Sequence, residues 1–119
     1  MSPEFRLLQQ AIEDGWNISA TYQGHSRLMT PHTLGWKNNR EQCLLYQFGG
    51  TSSSRTVFHR NSPANWRCVH VDELRDVRLV EGELQSCTTH TQRQTCVDDV
   101  LCEINLGVAT ARAEDRLAD

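Results

Sequence analysis

The amino-acid sequence predicts a mainly β domain of the α+β kind. The expected form is a small antiparallel barrel or curved sheet, with an N-terminal helix and a C-terminal helical extension. Three observations predict it. Apolar and polar residues alternate from Trp16 to Tyr22, the two-residue period of a half-buried strand. Short apolar runs separated by turn-forming residues then recur as far as Val80, a spacing that suits five or so short strands. Helical periodicity is confined to the two ends of the chain.

The first element is a helix over residues 2–14. Ser2 caps its free amides, Pro3 suits the first helical position and Glu4 complements the positive helix end. Phe5, Leu8, Ala11 and Ile12 fall on one face, and Gly15 supplies a left-handed stop. The strand ending at Tyr22 is followed by a tight turn at Gln23-Gly24 and a second strand, His25 to Thr30. Pro31 is expected to end pairing or to sit at an edge. Thr33 to Trp36 reads as a third strand, and Lys37 to Glu41 as a hairpin loop in which asparagine tolerates positive φ. Gln42 to Phe48 is the fourth strand and the best core candidate, with Leu44, Tyr46 and Phe48 on one face and Cys43 and Leu45 adding apolar character to the other. Gly49 to Ser54 is a loop by composition, and residues 55–59 form a short strand. Trp66 to Val71 is a further strand, Asp72 to Arg75 a turn or single helical turn, and Val77 to Val80 the last strand of this run.

The final third differs in character, so residues 1–84 and 85–119 are read as a sheet-forming unit and an extension. From Thr95 the residues Cys96, Val97, Val100, Leu101 and Ile104 recur at helical spacing behind a capping threonine and two first-turn aspartates. A strand is the alternative, because the segment is rich in β-branched residues. Ala109 to Asp119 has helix formers and few anchors; it frays or docks on a partner subunit.

A chain of 119 residues suits one domain. It has no apolar run of membrane-spanning length, and its first residues lack a secretory signal. Five cysteines, an odd number, without that signal argue for reduced thiols and a cytoplasmic protein. The net charge of −3 lacks the footprint of a generic nucleic-acid binder. Residues 1–80 hold nine basic and seven acidic residues, a balance of +2, while residues 81–119 hold three and eight, a balance of −5. Eleven of the twelve basic residues are arginines, whose planar forks bind carboxylate or phosphate bidentately.

The order of elements carries a resemblance over residues 8–84. A helix through Ala11-Ile12, a strand ending in Tyr22, then His25 and Arg27, Pro31 and Leu34, an apolar strand, and a segment from Arg67 to Leu74 resemble the WYL domain of bacterial transcriptional regulators. The resemblance implies an SH3- or Sm-like barrel that senses a negatively charged ligand, a nucleotide or nucleic acid among them. The chain departs from the family pattern at several points. The naming tripeptide falls at Gln42-Cys43-Leu44, and His70 and Glu73 stand where further arginines are expected. With no winged helix ahead of the barrel, DNA reading is expected from a separate partner protein or not at all.

Ligand binding is therefore expected from Tyr22, His25, Arg27, Tyr46, Arg67 and His70, grouped at a barrel mouth. The competing arrangement pairs Arg27 and Arg67 with acids such as Glu41, Asp72 or Glu73. Trp16, Trp36, Trp66, Tyr22 and Tyr46 serve either as stacking surfaces or, the more usual role of alternating strand aromatics, as core. No metal or cofactor is expected: Cys68, His70, Cys87, His90, Cys96 and Cys102 lack paired ligand spacing. No catalytic motif is present, and Ser52 to Ser54 with His59 and Asp72 make a triad only on paper. The expectation is a non-catalytic module for an anionic ligand. The alternative is a protein–protein adaptor that dimerises through an open strand edge or the amphipathic segment 95–104, with Val97, Leu101 and Ile104 at the interface.

Overall fold

The structure, a computed structural model, describes residues 1–50, 62–87 and 94–118. The strand expected at 55–59, Ser52 to Ser54, His59 and His90 lie outside the described residues. Helix α1 (Pro3–Asp14) leads into strands β1 (Asn17–Tyr22), β2 (His25–Lys37), β3 (Arg40–Gly50), β4 (Trp66–His70), β5 (Leu74–Val80) and β6 (Asp99–Glu103), and helix α2 (Leu106–Ala118) follows. All pairings are antiparallel, in the order β4-β3-β2-β1-β5, with β6 also on β2.

The first helix forms as its sequence dictates. The Ser2 hydroxyl accepts from the Phe5 amide at 3.2 Å, and Gly15 ends the helix at φ 80°. Phe5, Leu8, Ala11 and Ile12 are buried against the sheet, where they meet Ile18, Ala20, Met29, Leu34, Cys43, Leu45, Val69, Val71 and Leu74. Phe5 also stacks on Trp36 at 5.2 Å. Each such large side chain taken fully out of water contributes about 1.5–3 kcal/mol. Two hairpin turns carry positive φ at both central residues, Gln23 and Gly24 in one, Asn38 and Asn39 in the other; this twist matches that of the flanking strands.

Several expectations require correction. Residues 25–37 form one long strand in place of two. Pro31 falls where β2 passes from its ladder with β1 to its ladder with β6, beside a register shift against β3, so its missing N–H is accommodated at an irregularity. Of the two apolar faces of β3, Cys43 and Leu45 join Gln47 on the more deeply buried one, while on the other Tyr46 is fully buried and Leu44 and Phe48 are half-buried. Both faces of this central strand are covered, which removes the amphipathic signal that would set its parity.

The barrel implied by the WYL resemblance does not form, and the identification is overturned. The sheet is an open path whose end strands, β4 and β5, share no ladder. They are joined by a 3-10 turn, Val71–Glu73, that redirects the chain, and β5 pairs with β1. The helix expected from Thr95 is likewise replaced by β6 on the open side of β2, so the strand alternative holds. α2 does not fray: it packs on α1, with Ala109 and Ala113 buried. Arg116 secures it by donating to the Asp14 and Gly15 carbonyls at the end of α1, by pairing with Glu81, and by lying 3.6 Å from the Trp16 ring centroid. The expectation of uniformly reduced thiols also fails, because Cys68 and Cys96 form a disulfide, while Cys43, Cys87 and Cys102 remain thiols. The two cysteines lie 28 positions apart and meet only because β4 and the segment before β6 cross near Gln42.

No described helix is long and apolar enough to cross a membrane.

Candidate anion site

Strand β3 lies between β2 and β4, and this order assembles the site. Met29 on β2 pairs with Gln47, and Leu45 on β3 pairs with Arg67. Side chains alternate along a strand, so Leu45 and Gln47 share the inner face. Arg27 reaches Gln47 from the β2 side and Arg67 reaches it from the β4 side. Arg27 Nη1 donates to Gln47 Oε1 at 3.3 Å, and Arg67 Nε donates to the same oxygen at 3.0 Å. Arg67 Nη1 also donates to the carbonyls of Ala64 at 2.7 Å and Trp66 at 3.1 Å. The Arg27 guanidinium lies over the Tyr22 ring at 5.2 Å, a cation–π contact.

Two guanidinium groups thus converge on one neutral acceptor. Arg27 is 3% exposed, and its Nε is buried with no hydrogen-bond partner among the described residues. Neither arginine has a carboxylate partner among the described residues. The acids expected to neutralise them are engaged elsewhere: Arg40 holds Asp72 at 2.8 Å and Glu73 at 2.9 Å, while Glu41 accepts from the Ser2 hydroxyl at 2.7 Å. Burial pushes the Arg27 guanidinium below its ordinary pKa, with the Tyr22 interaction opposing. Arg67 is pushed down by burial first and then by the charge of Arg27. Both shifts express one physical fact: positive charge has left water without gaining a negative neighbour.

Of the residues the sequence singles out, the fold brings Tyr22, Arg27 and Arg67 together. His25 stands across the turn from Tyr22 in the β1–β2 register. His70 occupies the far end of β4 from Arg67, paired with Gln42, and its Nδ1 is buried without a partner among the described residues. Tyr22 links the two regions: burial raises its phenol, as does the charge of Glu73, while a backbone hydrogen bond at His70 and the charge of Arg27 lower it. Tyr46 is not brought to the pair. It faces the other side of the sheet, donates to the Ser62 carbonyl at 2.9 Å and packs edge-on to Trp66. Gln47, the acceptor that joins the arginines, is the member sequence reasoning missed; its signal is a polar residue two positions from Leu45 in an apolar strand.

The opposite face of the sheet carries a different set of groups. Residues 83–87 strap across it: Asn17 Nδ2 donates to the Glu83 carbonyl, the Gln85 amide donates to Thr30 Oγ1, and His32 Nε2 contacts the Gln85 carbonyl at 2.8 Å. A cavity of about 1050 Å³ on this side is lined by His32, Trp66, Glu103 and the Cys68–Cys96 disulfide, among others. Its polar groups bond mainly within the fold. Glu103 accepts from Thr33, and Lys37 donates to the Thr95 carbonyl, so its described lining carries one charge of each sign in place of the two like charges of Arg27 and Arg67. No group of three or more metal-ligating side chains occurs among the described residues.

Of the residues expected at a dimer interface, Val97 is buried at 2% exposure inside the fold. Leu101 is exposed and Ile104 half-buried against the core. No family model, no curated protein and no solved structure matches the chain.

Proposed function

We propose that the domain is a non-catalytic binding module for an anionic ligand, held by Arg27 and Arg67. The observation that supports this most directly is the pair of guanidinium groups sharing Gln47 Oε1 with no carboxylate beside them among the described residues. A buried cation without a counter-charge is costly, and an incoming anion relieves that cost while gaining charge-assisted hydrogen bonds. The unused donors include Arg27 Nε, and the second terminal nitrogen of each guanidinium makes no hydrogen bond to a described residue. Donors spread over two forks suit a phosphate group, with its several oxygens, better than a single carboxylate. Arg67, half-buried at the end of β4, is the arm nearer solvent; Arg27, over Tyr22, is the inner one.

Calorimetric titration of pyrophosphate at low salt tests the reading. Wild type is expected to bind, and Arg67→Met to weaken binding about tenfold or more, the loss of one charge-assisted contact of about 1.5–3 kcal/mol. Arg27→Met is expected to abolish binding while leaving stability unchanged or raised, because a buried cation without a partner is replaced by an apolar chain of similar length. Unchanged affinity in both variants overturns the reading. So does a large loss of stability in Arg27→Met, which would mark the arginine as purely structural.

A second reading, an adaptor that binds other proteins, is favoured by the exposed Val100, Leu101, Leu106 and Val108 on β6 and α2. It ranks below the first because β6 carries a register shift and acidic residues at both ends. A bulge and like charges discourage self-pairing of an edge strand.

A further inference from the structure

We infer that the Cys68–Cys96 disulfide is a thiol-responsive control on the Arg67 arm of the anion site; this rests on the function proposed above. Strand β4 is short and lies at one end of the sheet path, paired along one side by β3. Its residues alternate: Trp66 and Cys68 face the outer cavity, and Arg67 between them faces Gln47. The residue next to Arg67 is therefore the one covalently tied to the C-terminal segment.

That tie has a firm far end. The Cys96 carbonyl accepts from Gln42 Nε2 at 3.0 Å, the Thr95 carbonyl accepts from Lys37 Nζ at 2.9 Å, and the Asp98 amide donates to the Trp36 carbonyl at 3.1 Å. The segment is thus anchored on β2 and β3, and the disulfide holds β4 to it from the face opposite Arg67. Cys68 is exposed and Cys96 buried, so an external thiol meets Cys68 first.

The chemistry needs a reductant of the dithiol class. Its thiolate attacks Cys68 Sγ; the bond between the two protein sulfurs breaks, and Cys96 leaves as a thiolate that takes up a proton. The second thiol of the reductant, losing its proton, then displaces Cys68 from the mixed disulfide, and Cys68 Sγ is protonated. The net change is one protein disulfide and one dithiol converted to two protein thiols and one external disulfide. Reduction removes the covalent tie and leaves β4 held by noncovalent contacts, its ladder with β3, the buried Val69 and the ring contacts of Trp66 among them, so the position of Arg67 relative to Gln47 and Arg27 is less restricted. Weaker anion binding follows from this loss of preorganisation.

The experiment titrates pyrophosphate into the full chain after oxidation with diamide and after reduction with dithiothreitol, with thiols counted in denaturant. Three thiols are expected in the oxidised protein, those of Cys43, Cys87 and Cys102, and two more in the reduced one. Oxidised protein is expected to bind about tenfold more tightly than reduced, a coupling of ordinary size. A C68S/C96S variant should match the reduced protein and ignore dithiothreitol. Equal affinity in both states overturns the control while leaving the anion site standing. Binding in neither state instead removes the anion site, and the control with it. Five thiols after oxidation, or loss of sheet and helix circular dichroism on reduction, also overturns the proposal, the second by making the disulfide a general staple.

Discussion

His32 shows how one side chain can report on the packing around it. It is 7% exposed, held edge-on to Trp66 at 4.8 Å, and its Nε2 lies 2.8 Å from the Gln85 carbonyl. A carbonyl only accepts, so the neutral tautomer protonated at Nε2 fits this contact. Burial lowers the pKa below its ordinary 6.5, and the Gln85 hydrogen bond and the charge of Glu103 only partly oppose it. The unfolded chain therefore binds a proton at higher pH than the folded one does. This contribution to stability is complete above about pH 6.5 and is lost as pH falls from there toward the folded value. Wild type is expected to lose more stability between pH 7 and pH 5 than His32→Gln, which keeps an N–H donor but does not titrate. Urea denaturation of both proteins across that range checks it, and parallel curves would remove His32 from the account. Arg27 shows the same physics with the opposite outcome. Its guanidinium stays charged, so the unmet demand for a counter-charge remains for a ligand to fill.

At the scale of elements, the close approach of backbones decides which segment pairs with which. β6 reaches β2 only because residue 35 is glycine. A Cβ there would overlap the Asp99 carbonyl and lie 2.8 Å from Val97 Cγ1. Gly35→Ala is therefore expected to cost about 1–3 kcal/mol, the range of overpacked sites. Faster hydrogen exchange should be concentrated in residues 99–103, and exchange spread evenly through the sheet would contradict this account. Gly15 plays the related part between the helices: it takes φ 80° at the end of α1, and any Cβ would overlap the Ala109 carbonyl of α2. With the Arg116 contacts, this explains why α2, which has few apolar anchors, docks on α1.

For the whole molecule, the disulfide closes a long excursion of chain, since its cysteines stand 28 positions apart. Loop closure of that size stabilises by about 3.5 kcal/mol. Guanidinium denaturation of oxidised and reduced protein is expected to differ by roughly that amount. A domain of typical stability, about 5–15 kcal/mol, stays folded after such a loss, which is the condition under which reduction alters the anion site without dissolving it. Identical midpoints in the two states would show that the bond does not constrain the unfolded chain. The C-terminal segment is part of the same assembly: β6 extends the sheet and α2 covers α1.

Local rules made a definite part of this legible. The Ser2 cap, the apolar face of α1, the Gly15 stop, the two-residue rhythm of β1 and both positive-φ hairpin turns depend on neighbours within a few positions, so residue order specified them. Arg27 and Arg67 were also legible as candidates, because arginines in strands flanking an apolar strand are visible in one dimension. Their meeting at Gln47, and the absence of carboxylates beside them among the described residues, depended on which strand lies between which. The parity of β3, the passage of Pro31 through a long strand, the choice of strand over helix for β6 and the Cys68–Cys96 bond were likewise settled by long-range packing. The physical reason is common to all four: burial on two faces, backbone approach and cross-strand register are properties of distant segments brought together. A chain read in order holds the preferences of each segment but not the company it will keep.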